Sequence, residues 1–184
     1  TVVVANGEIY NHLELRERFF QASKSAIPAS DCAILPYLWE RRGRTFVHDL
    51  SGMYAFALYD ETQECLVLAR DPAGQKPLYY APLPGGGIAF ASELKALLQH
   101  PQVSREIDPL ALRQFLAFDY VPGERSIYRS VLKVPPGSSL TWQAGKLSTE
   151  RTFLPPPSTP SFRTLEDGAE AVWTSLLDSV RARL

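Results

Sequence analysis

Residues 2–11 read Val2-Val3-Val4-Ala5-Asn6-Gly7-Glu8-Ile9-Tyr10-Asn11, an apolar run followed at once by polar groups. Consecutive β-branched residues are typical of a buried strand, so we expect a strand over residues 1–6. The glycine that follows allows close approach of the backbone to a ligand. Asn11 and Glu14 have the spacing of a helix-capping box. The segment therefore predicts a strand, a polar loop and a helix, and the loop could hold a small polar substrate.

The composition is that of a globular chain with one domain and a short extension. Of the 184 residues, 45% are hydrophobic and 21% are charged, which suits a packed core. The net charge of -1 gives no reason to expect nucleic acid or a membrane as a partner. No signal peptide opens the sequence, and no apolar run approaches the roughly 20 residues that span a bilayer. The two cysteines are isolated from each other, so neither a zinc site nor a disulfide framework is expected. We expect a cytoplasmic location.

Residues 11–153 alternate between helical and strand-like patterns. Helices are predicted over residues 11–20, 32–42, 93–99 and 110–118, and strand pairs over 54–59 with 65–69, 77–81 with 88–91, and 139–142 with 147–153. Ser30 or Asp31 is expected to cap the second helix and Gly43 to end it, while Pro36 falls awkwardly inside it. Strand pairs with helices packed outside them indicate an α+β layered domain.

The composition changes after residue 153. Residues 154–163 are rich in proline, which makes a semi-rigid spacer. Residues 165–184 predict one amphipathic helix, with Ala169, Val172, Leu176 and Val180 on one face. A lone helix after a linker has nothing of its own to pack against. We therefore expect a domain over residues 1–153, a linker over 154–163 and, over 164–184, the first helix of a further domain.

Several motifs resemble, in order, those of the glutamine-hydrolysing asparagine synthetases, whose glutaminase half is a class II amidotransferase. They are Asn6-Gly7-Glu8-Ile9-Tyr10-Asn11, Ser30-Asp31-Cys32, the run from Leu50 to Asp60, Leu68-Ala69-Arg70-Asp71-Pro72, Lys76-Pro77-Leu78-Tyr79-Tyr80 and Phe90-Ala91-Ser92-Glu93-Leu94-Lys95. The resemblance implies a partial N-terminal-nucleophile hydrolase fold, a four-layer α/β/β/α sandwich of antiparallel sheets. It also implies that residues 1–153 are a type 2 glutamine amidotransferase domain without its first segment, and that residues 164–184 begin the synthetase domain.

The residues and the resemblance together give four candidate site residues, of which Glu8 is proposed from its charge alone. The matching Asn-Gly of the family forms the oxyanion hole, so the Asn6 side-chain amide and the Gly7 backbone N–H would stabilise the developing oxyanion. The Asp of the Ser-Asp pair binds glutamine, so Asp31, together with Glu8, would hold the ammonium group by charge-assisted hydrogen bonds. Without the resemblance, Asn6-Gly7 is more often a turn, Asp31 a helix N-cap and Glu8 a solvated acid.

The family's nucleophile is a cysteine at the first position, with its own α-amino group as the base, and this chain opens on Thr1. An N-terminal threonine can be a nucleophile, but the resemblance places Thr1 within the strand that leads to Asn6. We therefore expect an upstream segment that carries the cysteine and a glutamine-binding arginine. Cys32 and Cys65 are interpreted as inert structural thiols. The fragment itself is expected not to hydrolyse glutamine.

Arg70, Asp71 and Lys76 form a charged cluster between two predicted strand pairs. A phosphate site could be built from such residues, but no glycine-rich phosphate cradle accompanies them. We interpret the cluster as a local salt-bridged turn that sets the geometry of the sheet.

The resemblance implies a parent enzyme that amidates aspartate to asparagine with ammonia released from glutamine. Its synthetase domain would use ATP and Mg²⁺, and no cofactor or metal is expected in this fragment, which lacks a pyrophosphate-binding loop. The runs 120–128 and 132–137 favour this branch over class II relatives that serve sugar phosphates or purines. Two alternatives stay open: a related synthetase of a biosynthetic cluster that forms a β-lactam or another amide, and a non-catalytic binding module. The assembly state is also open, with a homodimer as one alternative.

Overall fold

The computed structural model describes residues 1–20, 27–153, 162 and 164–183. The chain divides into two compact units, Thr1–Phe153 and Leu154–Leu184, and each is treated by itself. Apart from Phe162, the predicted linker over residues 154–163 lies outside the described residues.

The first unit consists of two antiparallel sheets and the helices that cover them. The strands are β1 Val2–Ile9, β2 Gly52–Asp60, β3 Cys65–Arg70, β4 Tyr79–Pro82, β5 Ile88–Ala91, β6 Leu132–Lys133, β7 Ser138–Gln143 and β8 Lys146–Arg151. The helices are α1 His12–Phe20, α2 Leu35–Arg42, α3 Leu94–Leu97 and α4 Pro109–Phe118. One sheet has the order β1-β2-β3-β7-β8 and the other β5-β4-β6. These pairings confirm the three predicted strand pairs.

Three hydrophobic clusters separate four layers. The first cluster packs α1 and α2 against one face of the larger sheet, through residues that include Leu15, Leu38, Phe56 and Val67. The second lies between the two sheets and includes Ala57, Leu68, Leu78, Tyr80 and Leu140. The third packs α3 on the far face of the smaller sheet, through Ala81, Leu97, Val103 and Val131. Side chains alternate between the two faces along a strand, so β2 contributes aromatic residues to one cluster and alanines to the next. The arrangement confirms the predicted α/β/β/α layering.

β1 extends beyond its predicted end, and Asn6 and Gly7 lie within the strand and not in a loop or turn after it. Gly7 has a φ of +139°. A Cβ on Gly7 would lie 2.0 Å from the carbonyl oxygen of Met53, and one on Gly52 would lie 2.1 Å from that of Glu8. The strands approach too closely here for any side chain, so the ladder continues to Ile9 only because both positions are glycine.

Asn11 joins the start of α1 to the segment before β2. Its Nδ2 donates to the Asp49 carbonyl oxygen at 2.8 Å, and its Oδ1 accepts from the Ser51 N–H at 2.9 Å. The helix forms as predicted, but this amide is used in a tertiary contact in place of the expected capping box.

The predicted helix over residues 32–42 begins as a 3₁₀ turn, Cys32–Ile34, and continues as α2. Pro36 falls in the first turn of α2, where its missing N–H costs no hydrogen bond. The predicted cap is wrong, because no side-chain cap hydrogen bond forms at the start of either segment. Gly43 ends α2 as predicted, with a φ of +57°.

The cluster around Arg70 and Asp71 is held by bonds to the backbone and not by the predicted ion pairs. Arg70 donates to three carbonyl oxygens, those of Gly74, Lys76 and Val134. Asp71 is fully buried and accepts from three backbone N–H groups, those of Ala73, Gln75 and Lys76. The backbone between β3 and β4 is irregular and has no strand partner. The two side chains fix this turn because they bond its N–H and carbonyl groups directly.

In the second unit, α5 spans Leu165–Arg181, which confirms the predicted helix. Its start is a capping box: the Asp167 N–H donates to Thr164 Oγ1 at 3.1 Å, and the Thr164 N–H donates to Asp167 Oδ2 at 3.2 Å. Val172, Leu176 and Val180 on this helix are exposed. Within the described parts of the chain, no helix combines the length and apolar character needed to cross a membrane.

Candidate functional site

Asp31 lies against the free edge of β1, which is the first strand in the order of its sheet. Its Oδ2 accepts the backbone N–H of Ile9 at 2.7 Å, and its Oδ1 accepts the Ser30 hydroxyl at 3.3 Å. An edge strand leaves backbone groups that need partners other than a strand, and Asp31 provides one for Ile9. The carboxylate is half-buried, so it is fixed in place and still accessible.

Hydrogen bonding keeps the Asp31 carboxyl ionised. Burial raises the pKa of this group, but hydrogen bonds from the N–H groups of Ile9 and Cys32, the Cys32 thiol and the Ser30 hydroxyl together lower the pKa below its ordinary value. The side chain therefore carries a negative charge at neutral pH. A fixed, partly exposed anion can accept hydrogen bonds from a substrate ammonium group.

Cys32 connects this acid to the candidate oxyanion segment. Its Sγ donates to the Gly7 carbonyl oxygen at 3.7 Å and lies 3.6 Å from Asp31 Oδ2. Burial raises the pKa of the Cys32 thiol to about 11, with further contributions from the negative charges of Asp31 and Glu8. The thiol is therefore protonated at neutral pH and a poor nucleophile, in agreement with the structural role expected for it.

Asn6 is exposed and belongs to the lining of a cavity of about 180 Å³, which also includes Ala55, Phe90, Ala91 and Ser92. Asp31 is not among the described residues that line this cavity. The structure brings Asp31 together with the backbone of Ile9 and, through Cys32, with that of Gly7. The oxyanion role of Asn6 and Gly7 stays a prediction.

Arg16 is a residue of this region that sequence reasoning missed. From α1, its guanidinium donates to the carbonyl oxygens of Ile27, Pro28 and Ser30, in the segment that leads to Asp31. Helical periodicity alone predicts an exposed charge at this position, as at Arg18 two residues later. The pattern therefore held no signal that could separate the two arginines.

A protein family described as "Glutamine amidotransferase domain" matches residues 1–153. Among curated relatives, asparagine synthetase [glutamine-hydrolyzing] 1 of Bacillus subtilis is 33% identical over 178 residues, which cover 95% of this chain and 28% of the relative. A putative asparagine synthetase [glutamine-hydrolyzing] of Mycobacterium tuberculosis is 38% identical over 162 residues, which cover 84% of this chain and 24% of the relative. The domain thus matches the glutaminase half of asparagine synthetases, and the alternatives from the sequence are not favoured. The chain spans less than a third of the length of these relatives.

Two solved structures share the fold. A glutamine phosphoribosylpyrophosphate amidotransferase from B. subtilis has a TM-score of 0.54 and 23% identity, over 83% of this chain and 29% of that one. A structure described as the allosteric regulatory enzyme of purine biosynthesis has a TM-score of 0.55 and 23% identity, over 83% and 28%. These likenesses concern the fold alone, and they confirm the predicted fold, a sandwich of antiparallel sheets between helical layers. On the match that covers residues 1–153, this chain belongs to the glutamine amidotransferase family.

Proposed function

We propose that this domain binds glutamine and releases its amide nitrogen as ammonia, which the parent protein uses to amidate aspartate to asparagine. The observation that carries the proposal is the ionised Asp31 carboxylate, fixed at the edge of β1 by the Ile9 N–H. Charge-assisted hydrogen bonds from the α-ammonium group of glutamine would satisfy its accessible lone pairs. The names of the relatives support the same substrate.

The proposal gives the remaining site residues distinct roles. Attack on an amide carbonyl creates a tetrahedral oxyanion, and each well-placed donor lowers that barrier by about 3 kcal/mol. The Asn6 side-chain amide and the Gly7 N–H would be these donors. Glu8 would add a second negative charge near the ammonium group. In this proposal the nucleophile is a cysteine outside the sequence, because burial raises the pKa of both thiols, Cys32 and Cys65.

ATP and Mg²⁺ belong, in this proposal, to the synthetase part of the parent protein, where ATP would activate aspartate. Among the residues that the structure describes, no cluster of three or more His, Cys, Asp or Glu side chains could hold a metal ion. We place the parent protein in the cytoplasm, which suits the free state of Cys32 and Cys65. We also propose that α5 is the first helix of its synthetase domain. A homodimer is one alternative for its assembly.

The test compares two nitrogen sources in the full-length protein. Asp31→Ala should abolish asparagine formation from glutamine, because the ammonium group loses its partner, and should leave formation from added ammonia unchanged. Glu61→Gln, at an exposed position in the turn between β2 and β3, is the matched control and should change neither activity. Equal loss of both activities in Asp31→Ala, or full retention of the glutamine activity, would contradict the assignment.

A further inference from the structure

We propose that Arg16 is a positioning residue for the glutamine site, where its guanidinium holds the segment that presents Asp31. The inference rests on the proposed function and adds a residue to it. The hydrogen-bond partners of Arg16 are backbone carbonyl groups of residues that precede Asp31, and not the Asp31 carboxylate.

The Arg16 guanidinium donates hydrogen bonds to three backbone carbonyl oxygens. Nη1 donates to the Ile27 carbonyl oxygen at 3.2 Å, and Nη2 donates to that of Ser30 at 2.9 Å and to that of Pro28. Residues 27–30 form neither helix nor strand, so their carbonyl groups are not part of a regular backbone hydrogen-bond pattern. The Ser30 carbonyl also accepts the Ala33 N–H at 3.3 Å. A guanidinium offers five N–H donors in a planar fork and can bind several such oxygens at once.

Arg16 extends from a firmly anchored part of α1. Its neighbour Leu15 is only 1% exposed and belongs to the core cluster beneath the larger sheet. The start of the same helix is tied to residues 49–51 through both polar atoms of the Asn11 side chain. The guanidinium therefore holds residues 27–30 at a fixed position relative to the hydrophobic core.

Asp31 is thus held from two sides. The Ile9 N–H fixes the carboxylate itself, and Arg16 fixes the backbone directly before it, through the Ser30 carbonyl. Without Arg16 the carboxylate keeps its own hydrogen bonds, which include those from the Ile9 N–H and the Ser30 hydroxyl, but the backbone of residues 27–30 loses its guanidinium partner. Ligand binding must then order that segment. That ordering opposes binding and leaves the bond-breaking step untouched, so the effect should appear in KM for glutamine and not in kcat.

Arg18 provides a matched control on the same helix. Its Nη1 lies 3.4 Å from Asp49 Oδ1, and the side chain is 57% exposed. Removing Arg18 deletes the same charge from α1 without touching residues 27–30. An exposed ion pair of this kind contributes little, so Arg18→Ala should behave like the wild type.

The experiment measures steady-state kinetics of the full-length protein with glutamine and with ammonia. Arg16→Ala should raise KM for glutamine about tenfold or more, since misplacing a binding group by a small distance has effects of this order. Its kcat at saturating glutamine and its ammonia-dependent activity should match the wild type. Arg16→Lys, which keeps the charge and loses the fork, should give an intermediate KM. If Arg16→Ala does not fold, Arg16→Lys decides the question by the same comparison.

Two outcomes separate this inference from the proposed function. A wild-type protein that does not use glutamine overturns the proposed function. A glutamine-using wild type with an unchanged KM in the Arg16 variants, or variants that lose glutamine and ammonia activities together, overturns the positioning role alone. A second readout needs no activity: in the 184-residue chain, Arg16→Ala should speed hydrogen exchange of the Ile9 amide, and Arg18→Ala should not. Equal exchange of this amide in both variants would also overturn it.

Discussion

The backbone N–H of Ile9 donates to the Asp31 carboxylate across 2.7 Å and joins the end of β1 to the start of the 3₁₀ turn before α2. On the same strand, the Gly7 carbonyl accepts from the thiol of Cys32, the residue after Asp31. Two successive side chains thus occupy the edge of β1 where a further strand could otherwise pair. Asp31, the candidate ligand for the substrate ammonium group, is therefore positioned by its hydrogen bond to this edge strand.

Gly7→Ala should destabilise the protein far more than Gly43→Ala. Both glycines have positive φ, but a Cβ at position 7 would lie 2.0 Å from the Met53 carbonyl oxygen, whereas nothing lies within 4 Å of one at position 43. We expect a loss of about 4 kcal/mol or more in the free energy of unfolding for Gly7→Ala, where backbone strain and the clash add. Gly43→Ala should cost about 1–3 kcal/mol, from the strain of its φ of +57° and ψ of -148° alone. Urea unfolding measures both values. A Gly7→Ala protein as stable as the Gly43→Ala protein would refute the close approach.

Cys32 should react slowly with iodoacetamide at mildly alkaline pH. Its pKa of about 11 lowers the thiolate population, and hence the rate, roughly a hundredfold relative to an ordinary cysteine. Asp31→Asn should accelerate labelling, because it removes the negative charge beside the thiol that helps to raise its pKa. Mass spectrometry in a Cys65→Ser background, which leaves Cys32 as the single thiol, measures the rate. Identical rates with and without the Asp31 charge would speak against the contact.

Asp71→Asn should destabilise the first unit by about 3 kcal/mol, because a buried carboxylate that accepts several N–H groups is replaced by an amide with one acceptor oxygen. The new NH₂ group also faces donors and has no partner there. Glu61→Gln, on the exposed turn after β2, should change stability by less than about 0.5 kcal/mol. Chemical denaturation of both variants tests this difference, and similar midpoints would rule out the turn-fixing role of Asp71.

Asp60 should make stability depend on pH. The hydrogen bond from Trp39 Nε1 at 2.6 Å, followed by that from the Gln63 N–H, lowers the pKa of this carboxyl. A depressed folded-state pKa gives stabilisation that is complete above the unfolded value of about 3.9 and is lost as the pH falls through the folded one.

Trp39→Phe should therefore weaken the fall in Tm on acidification, because it removes the largest cause of the shift. Trp142→Phe is the control, since Trp142 Nε1 donates to the Gly86 carbonyl and not to a carboxylate. Thermal scans between neutral and acidic pH follow the change. The same slope in the Trp39→Phe protein and the wild type would contradict the role of this hydrogen bond.

Local patterns predicted the individual strands and helices well. β2 and β3 are nearly continuous apolar runs separated by a polar turn, because both of their faces are buried. The four-layer stacking was implied by the family resemblance and not by these patterns. They failed where a distant group competes for a residue. Asn6-Gly7 has turn chemistry, yet pairing with Ala55 and Tyr54 of β2 keeps it in the strand. Asp31 suits a helix cap, yet it binds an N–H 22 positions away. Arg16 looks like any surface charge until its carbonyl partners are known.

The close approach of β1 and β2 at Gly7 and Gly52 also affects which register the two strands adopt during folding. Val2, Val3 and Val4 are interchangeable, so they would accept a pairing shifted along β2 almost as readily as the native one. A shift by one position would bring Asn6 or Glu8, each with a Cβ, to the point where only hydrogen fits. The two glycines thereby destabilise pairings of β1 and β2 in a shifted register, which the valines alone would not disfavour.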